Sequence, residues 1–278
     1  LQVRRKLARI SSTLGIQLTL ILSSFLVLLP FIWLASASFS GEGAILDRLL
    51  LLFPRSFSLQ GYEEVFRTTP YSRWLLNSIF ISTVLTTVQL ALGIFAAYAL
   101  SRFEFKGREL LFFFVLCTMM IPPQAVMLPA FMVINSFSLV NTYRGLMLPH
   151  MAHGYVIFML RQFFLQIPKE LDEASQIDGC NSLMTLYHVY LFSAVPAVVS
   201  VTLIQFVRNW NDYYWALIVL SDKLKLTLPV AIVSFRDEQL IRWAPTMASA
   251  FMSVIPVVIL YLLGQRHFLE SNLSSGTK

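Results

Sequence analysis

Six long apolar runs separated by polar segments set the pattern of this 278-residue chain, at about 14–37, 74–100, 110–134, 144–165, 191–208 and 244–264. Each is close to the length that carries a helix across a hydrocarbon core, about 20 residues. The second run holds Gly93, Ala96, Ala97 and Ala99, small residues on which a neighbouring helix can pack closely. The third holds Pro122, Pro123 and Pro129 and predicts a broken helix. Freed backbone at membrane depth needs cover from protein or a water-filled cavity. A kink that serves packing alone and a wall of a solute pathway both fit that break. The pattern predicts an all-α membrane protein, a single transmembrane domain of six helices over 1–278.

Composition supports a bilayer and removes other classes. Hydrophobic residues make up 56% and charged ones 13%, against about 25% charged in a soluble domain. The formal charge of +6 is scattered among loops, without the basic stripe and interleaved aromatics of a nucleic-acid binder. Arg4, Arg5, Lys6 and Arg9 precede the first run and argue for a cytoplasmic N-terminus. All 21 Lys and Arg together divide almost evenly between the two sides, so the bulk count decides nothing and that cluster decides the orientation. Six spans then return the C-terminus to the cytoplasm, with Arg266 and His267 closing the last. The run at 14–37 is too long for the apolar core of a signal peptide and reads as a retained span. Cys117 lies in an apolar run and Cys180 in a polar loop, so neither a disulfide nor a metal site is expected.

The stretch between the fourth and fifth runs, 166–189, is the most informative. Its centre, 168–179, reads PKELDEASQIDG. Pro168 suits the first turn of a helix. Glu170, Asp172 and Glu173 follow where the helix dipole favours negative charge. Ile167, Leu171 and Ala174 recur at helical spacing and make one face apolar. Gly179 supplies the left-handed residue that ends a helix, and Asn181 or Ser182 can cap a second one near Leu183. Two short helices with a sharp bend are predicted. A solvated connector is the plain alternative. Against it stand the length of the loop, its caps, and its acids, Asp178 included, on a side where Lys and Arg are usual. An ordered acidic loop there suits a basic groove on another protein.

These residues resemble the EAA loop of bacterial ABC importer permeases. Glu173-Ala174-Ser175 is followed after three residues by Gly179, and nine residues further on by Val189-Tyr190-Leu191-Phe192. Pro168-Lys169-Glu170-Leu171, Ile177-Asp178-Gly179 and Trp210-Asn211-Asp212 are similar to the carbohydrate-uptake branch, the maltose-type second permease subunit above all. The likeness covers nearly the whole chain. Ser175 stands for the second Ala of the motif and Phe192 for its Pro, with Pro196 four residues on.

The resemblance implies a type I ABC importer permease in a prokaryotic cytoplasmic (inner) membrane, forming half of a pathway for a sugar. It implies a non-identical permease partner, a dimer of ATP-binding subunits carrying the ATP and Mg, and an extracytoplasmic solute-binding protein. No cofactor is expected in this chain. Glu170, Leu171, Asp172, Glu173, Ala174, Asp178 and Gly179 would couple to the ATPase, and Ser274, Ser275 and Gly276 of the tail would also reach it. Pro122, Pro123, Asn209, Asn211 and Asp212 are the candidates for lining the pathway.

The residues agree with a transport subunit rather than an enzyme. No G-x-x-x-x-G-K-[ST] phosphate loop exists. His150 and His153, at i and i+3, lack an accompanying carboxylate or Cys and read as polar residues of a bundle interior. A membrane enzyme built on these two and Asp212 would lack any H-E-x-x-H or G-x-S-x-G arrangement. A lone ion-coupled carrier would need carboxylates deep in several spans, where Asp and Glu are almost absent. Asn209 to Asp212 also fit an interfacial belt with Trp210, Tyr213, Tyr214 and Trp215. Asp222 to Trp243, with Arg236, Asp237, Glu238 and Arg242, reads as an outer loop open to solvent or to an external partner. A non-sugar polar solute such as glycerol phosphate is the alternative cargo.

Overall fold

A computed structural model describes residues 2–47, 53, 57–235 and 242–275, with side chains at 15–43, 45, 53, 57–235 and 242–265. The described residues are helical, without strands. The helices are α1 (Gln2–Ser38), α2 (Glu42–Asp47), α3 (Gln60–Thr68), α4 (Tyr71–Arg102), α5 (Arg108–Met120), α6 (Pro123–Ser136), α7 (Tyr143–Met147), α8 (Gly154–Gln166), α9 (Glu170–Ile177), α10 (Ser182–Thr185), α11 (Val195–Trp210), α12 (Tyr214–Val219), α13 (Leu228–Val233) and α14 (Trp243–Ser275).

Among the described residues three stretches are long and apolar enough to cross a membrane: Gly15–Ser38, Tyr71–Arg102 and Trp243–Gln265. They answer to the first, second and sixth runs. The third run is bent by 101° between α5 and α6, where Pro122 caps α6 and Pro123 opens it. Both ends of that break follow from the missing proline N–H. The fourth run is not the continuous span expected from its hydropathy. It divides into α7, a 3₁₀ turn at Leu148–His150 and α8. Pro149 sits in the tight turn, and the extended backbone of His153 leads into α8. The fifth run also starts later than expected. Leu186–Leu191 forms a π-helical turn, and α11 begins only at Val195, with Pro196 in its first turn. Ser182–Leu191 and Val195–Trp210 meet at 83°.

The chain divides into two compact units, 1–69 with 232–254, and 70–231 with 255–278. In the second unit, α4, α8 and α11 enclose a core that includes Ala97, Tyr98, Val156, Leu160, Phe164, Tyr190, Ala197 and Val201. Gly93 lets α4 approach α8, since a Cβ there would meet Val156 Cγ1 at 2.5 Å. A second core joins Ile81 and Leu85 to Leu146, Trp215 and Val219. The start of α4 is laced to the segment after α12. Trp74 Nε1 donates to the Lys223 carbonyl (2.7 Å), and Asn77 Nδ2 to those of Leu224 (2.9 Å) and Leu226 (3.0 Å).

In the first unit the N-terminus of α14 is capped by an acid from a distant turn. Glu42 accepts hydrogen bonds from the backbone N–H groups of Trp243 (2.6 Å) and Ala244 (2.7 Å). Arg242 and Glu64 form an ion pair. Tyr62 donates to Ser38 Oγ (2.8 Å), and the Phe39 ring stacks on Phe57 and meets Phe251 edge-on. The described part of α1 leaves Ile16, Leu22, Leu26 and Val27 exposed, an apolar flank that water does not stabilise.

Candidate functional site

Two regions gather the residues singled out in the sequence. The first is the loop 166–189. The α9 helix carries Glu170, Asp172 and Glu173 in its first turn. It stops at Asp178, and Gly179 follows at φ +79°, a left-handed conformation in which any Cβ is strained. Asn181 then caps α10, its side chain accepting from the Met184 N–H (2.9 Å). The bend between the two helices thus has the residues that local physics requires of it.

The side chains of α9 sort into an outer and an inner face. Glu170, Glu173, Ala174 and Asp178 are exposed, together with Leu171 and, at 86% exposure, Ile177. Leu183, Met184 and Tyr187 extend this uncovered apolar surface. Asp172 does not belong to that surface. Its carboxylate accepts from Tyr190 OH at 2.6 and 2.7 Å and faces Arg102 at 3.4 Å. Ser175 is buried, and its hydroxyl lies 2.9 Å from Thr185 Oγ1, tying α9 to α10. The Phe192 side chain is 79% exposed, and the chain turns at 192–194 without a proline there.

Arg102 and Tyr190 were not legible as site residues. Arg102 lies just past the second apolar run and Tyr190 within Val189–Phe192, and no local hydropathy pattern singles out either. An Arg in the last turn of a long apolar helix, where the carbonyl ends attract a cation, was the available signal. Arg161, near the end of the fourth run, is likewise unmarked by local pattern. It is buried, donates to the Leu100 carbonyl (3.1 Å) and to Glu109 (3.0 Å), and lies 3.8 Å over the Phe112 ring.

The second region is a cavity of about 200 Å³ within the second unit, lined among others by Leu85, Gln89, Pro123, His150, His153, Arg208, Asn209, Asp212, Tyr214 and Trp215. Three of the five pathway candidates, Pro123, Asn209 and Asp212, meet there. Pro122 and Asn211 are outside its lining, and Asn211 Nδ2 is turned back to the Val207 carbonyl (2.9 Å). Asn209 Nδ2 donates to Thr86 Oγ1 and Gln89 Oε1, both at 2.9 Å, and Gln89 Nε2 to the His150 carbonyl (2.7 Å). The polar wall is therefore a network between α4, α11 and the turn before α8. Among the described residues, His150 Nε2 and His153 Nδ1 are buried without a hydrogen-bond partner. Buried polar atoms normally have one, so this wall has donors and acceptors to offer to water or a solute. Among the described residues no group of three or more His, Cys, Asp or Glu could hold a metal. Of the tail, α14 includes Ser274 and Ser275, whose side chains, like Gly276 as a whole, lie outside the described residues.

Residues 89–269 match the family described as the binding-protein-dependent transport system inner membrane component. The trehalose/maltose transport system permease protein of Thermococcus litoralis is 35% identical over 261 residues, covering 92% of this chain and 93% of that one. The arabinooligosaccharides transport system permease protein of Halalkalibacterium halodurans is 31% identical over 258 residues, covering 92% of each. A chain of a bacterial ABC transporter involved in the import of the acidic polysaccharide alginate superimposes with a TM-score of 0.81 at 26% identity, covering 94% of this chain and 97% of that one. Family match, relatives and fold agree over both regions just described, and the chain belongs to the family of inner-membrane components of binding-protein-dependent transport systems.

Proposed function

We propose that this chain is one of two non-identical permease subunits of an ATP-driven carbohydrate importer. Its loop 166–189 docks on a separate ATPase dimer that holds the ATP and Mg. The observation that carries this reading is the outer face of α9 and α10. It combines exposed acids (Glu170, Glu173, Asp178) with exposed apolar side chains (Leu171, Ile177, Leu183, Met184). An uncovered apolar patch rimmed by charge is the anatomy of a protein interface. Glu173 pairs with a basic residue of the ATPase groove, Ala174 and Leu171 seat the apolar side, and Gly179 sets the bend. Closure of the ATPase on ATP moves the loop and rocks the helices between inward- and outward-facing states. A solute-binding protein delivers the sugar from outside. Both termini lie in the cytoplasm, six passages cross the membrane, and the tail at 274–276 makes a further contact with the ATPase. The cavity between α4, α6 and α11 forms part of the solute pathway, where the exposed Tyr214 offers a ring to a sugar face and His150 Nε2 and His153 Nδ1 offer hydrogen bonds.

The carbohydrate assignment is supported by the relatives, several of which are named as oligosaccharide or disaccharide permeases. A second reading, an anionic polar solute, is favoured by Arg208, which lines the cavity and has no ion-pair partner among the described residues. Replacing Glu173 with Lys tests the docking. The expected outcome is loss of uptake and of copurification with the ATPase while membrane insertion is unchanged. Normal uptake in that variant would remove the coupling assignment.

A further inference from the structure

The α9 helix has two backbone connections, and both are weak levers. On one side Ile167 and Pro168 leave α8 in an extended turn; on the other, Gly179 holds a positive φ. The apolar face of α9 is uncovered by its own chain, so packing does not fix it either. Ser175 ties it to α10, which belongs to the same loop. A pull on Glu173 would be absorbed by rotation at these two joints unless another contact held α9 to the bundle.

That contact is the Asp172 carboxylate. Arg102, at the end of α4, is 6% exposed at its side chain, and Asp172 is 20% exposed. The guanidinium Nη1 faces Asp172 Oδ2 at 3.4 Å, while Nη2 donates to the carbonyls of Phe164 (2.6 Å) and Ile167 (2.5 Å) at the end of α8. Its Cζ lies 4.7 Å over the Tyr190 ring. Tyr190, fully buried, donates its hydroxyl to both oxygens of Asp172 and meets Tyr98 of α4 and Phe164 of α8 edge-to-face. One cation, one anion and one phenol therefore join the ends of α4 and α8, the π-helical turn and α9. Each member satisfies charge or hydrogen bonds that the others would otherwise leave buried and unmatched, so removing one member disables the rest.

We propose that Arg102, Asp172 and Tyr190 form a force-transmitting joint that makes α9 move as one body with the inner ends of α4 and α8. The proposal rests on the importer reading and assigns Asp172 a role apart from that of Glu173. The outer acid meets the motor, and the inner acid passes the displacement into the bundle. All three are positioning residues.

The test uses the complete purified transporter with ATPase bound. Cys117 and Cys180 are changed to Ser, and spin labels are attached at Leu92→Cys in α4 and Lys169→Cys at the N-terminus of α9, both exposed and neither among the side chains assigned to ATPase docking. Label-to-label distance is measured without nucleotide and after trapping with ATP and vanadate. With the joint intact, the distance distribution is narrow and the same in both states. In Asp172→Asn and in Tyr190→Phe it broadens roughly twofold, or shifts on trapping, while the ATPase still copurifies. The double variant is no worse than either single one, as members of one unit require, and Asp172→Glu restores the narrow distribution. A wild-type distance that changes on trapping would overturn the proposal, as would variants that keep the narrow, invariant distance. Failure of the wild-type chain to hold an ATPase would instead sink the importer reading, and the transmitting role with it.

Discussion

At Gly93 a single hydrogen in place of a methyl decides how α4 meets α8. An added Cβ would lie 2.5 Å from Val156 Cγ1 and 3.2 Å from Val156 Cβ, and Val156 is fully buried. Gly93→Ala is therefore expected to destabilise by about 1–3 kcal/mol, as overpacking of a closed core does. Val156→Ala in the same chain should return much of that loss, a coupling readable by thermal unfolding in detergent. The small stripe was legible in the sequence because small residues at helical spacing have few other uses within a span. Which of its members touch was not. Gly93 and Ala97 are buried, while Ala96 and Ala99 are only partly covered. The same distinction separates Asp172 from Glu173. Adjacent acids in one helix turn carry identical signals in a sequence, yet they point about 100° apart, and only the second is free to meet another protein. The inward one depends on Arg102 and Tyr190, partners 70 residues before it and 18 after it.

Helix ends carry the next set of consequences. The cap on α14 comes from Glu42, 201 residues earlier in the chain than Trp243. Two orphan N–H groups and the positive end of a 33-residue helix converge on one carboxylate. Glu42→Ala should cost about 1 kcal/mol and speed hydrogen exchange at 243–246 without altering exchange in α4. Caps of that kind are invisible to local pattern, whereas Gly179 and Asn181 act on their own neighbours: Gly179 ends α9 as predicted, Asn181 rather than Ser182 caps α10, and α9 starts at Glu170, two residues after Pro168. The breaks follow a similar division. Pro122 and Pro123 announced the bend between α5 and α6. The interruption of the fourth run by Pro149 was hidden under continuous hydropathy, since Leu148, Met151 and their neighbours are apolar whether or not the backbone is helical. In the fifth run, Phe192 replaced the expected proline, and the turn is made instead by a π-helical segment before it and Pro196 after it.

For the whole molecule, the question that these breaks raise is how many times the chain crosses. A 16-residue α11 is about 24 Å long, short of a hydrocarbon core of about 30 Å. It can cross only together with the segment before it, at an 83° bend. If that pair makes one passage, positions 173 and 223 lie on opposite sides of the membrane; if it dips in and returns, they lie on the same side. The acidic, partner-ready face of α9 on one side and the Lys223–Leu226 carbonyls bound to the start of α4 on the other favour one passage. That start and the loop at 166–189 are separated by the full 32 residues of α4, whose far end, Arg102, holds Asp172. In a chain with Cys117 and Cys180 changed to Ser, a membrane-impermeant maleimide added to intact cells should label Lys223→Cys and not Glu173→Cys. After permeabilisation both should react. Labelling of position 173 from outside would reverse the orientation and detach the loop from any cytoplasmic motor. Labelling of neither until permeabilisation would make the bent pair re-entrant and put 173 and 223 together in the cytoplasm, which the span of α4 between Trp74 and Arg102 makes the harder arrangement to build.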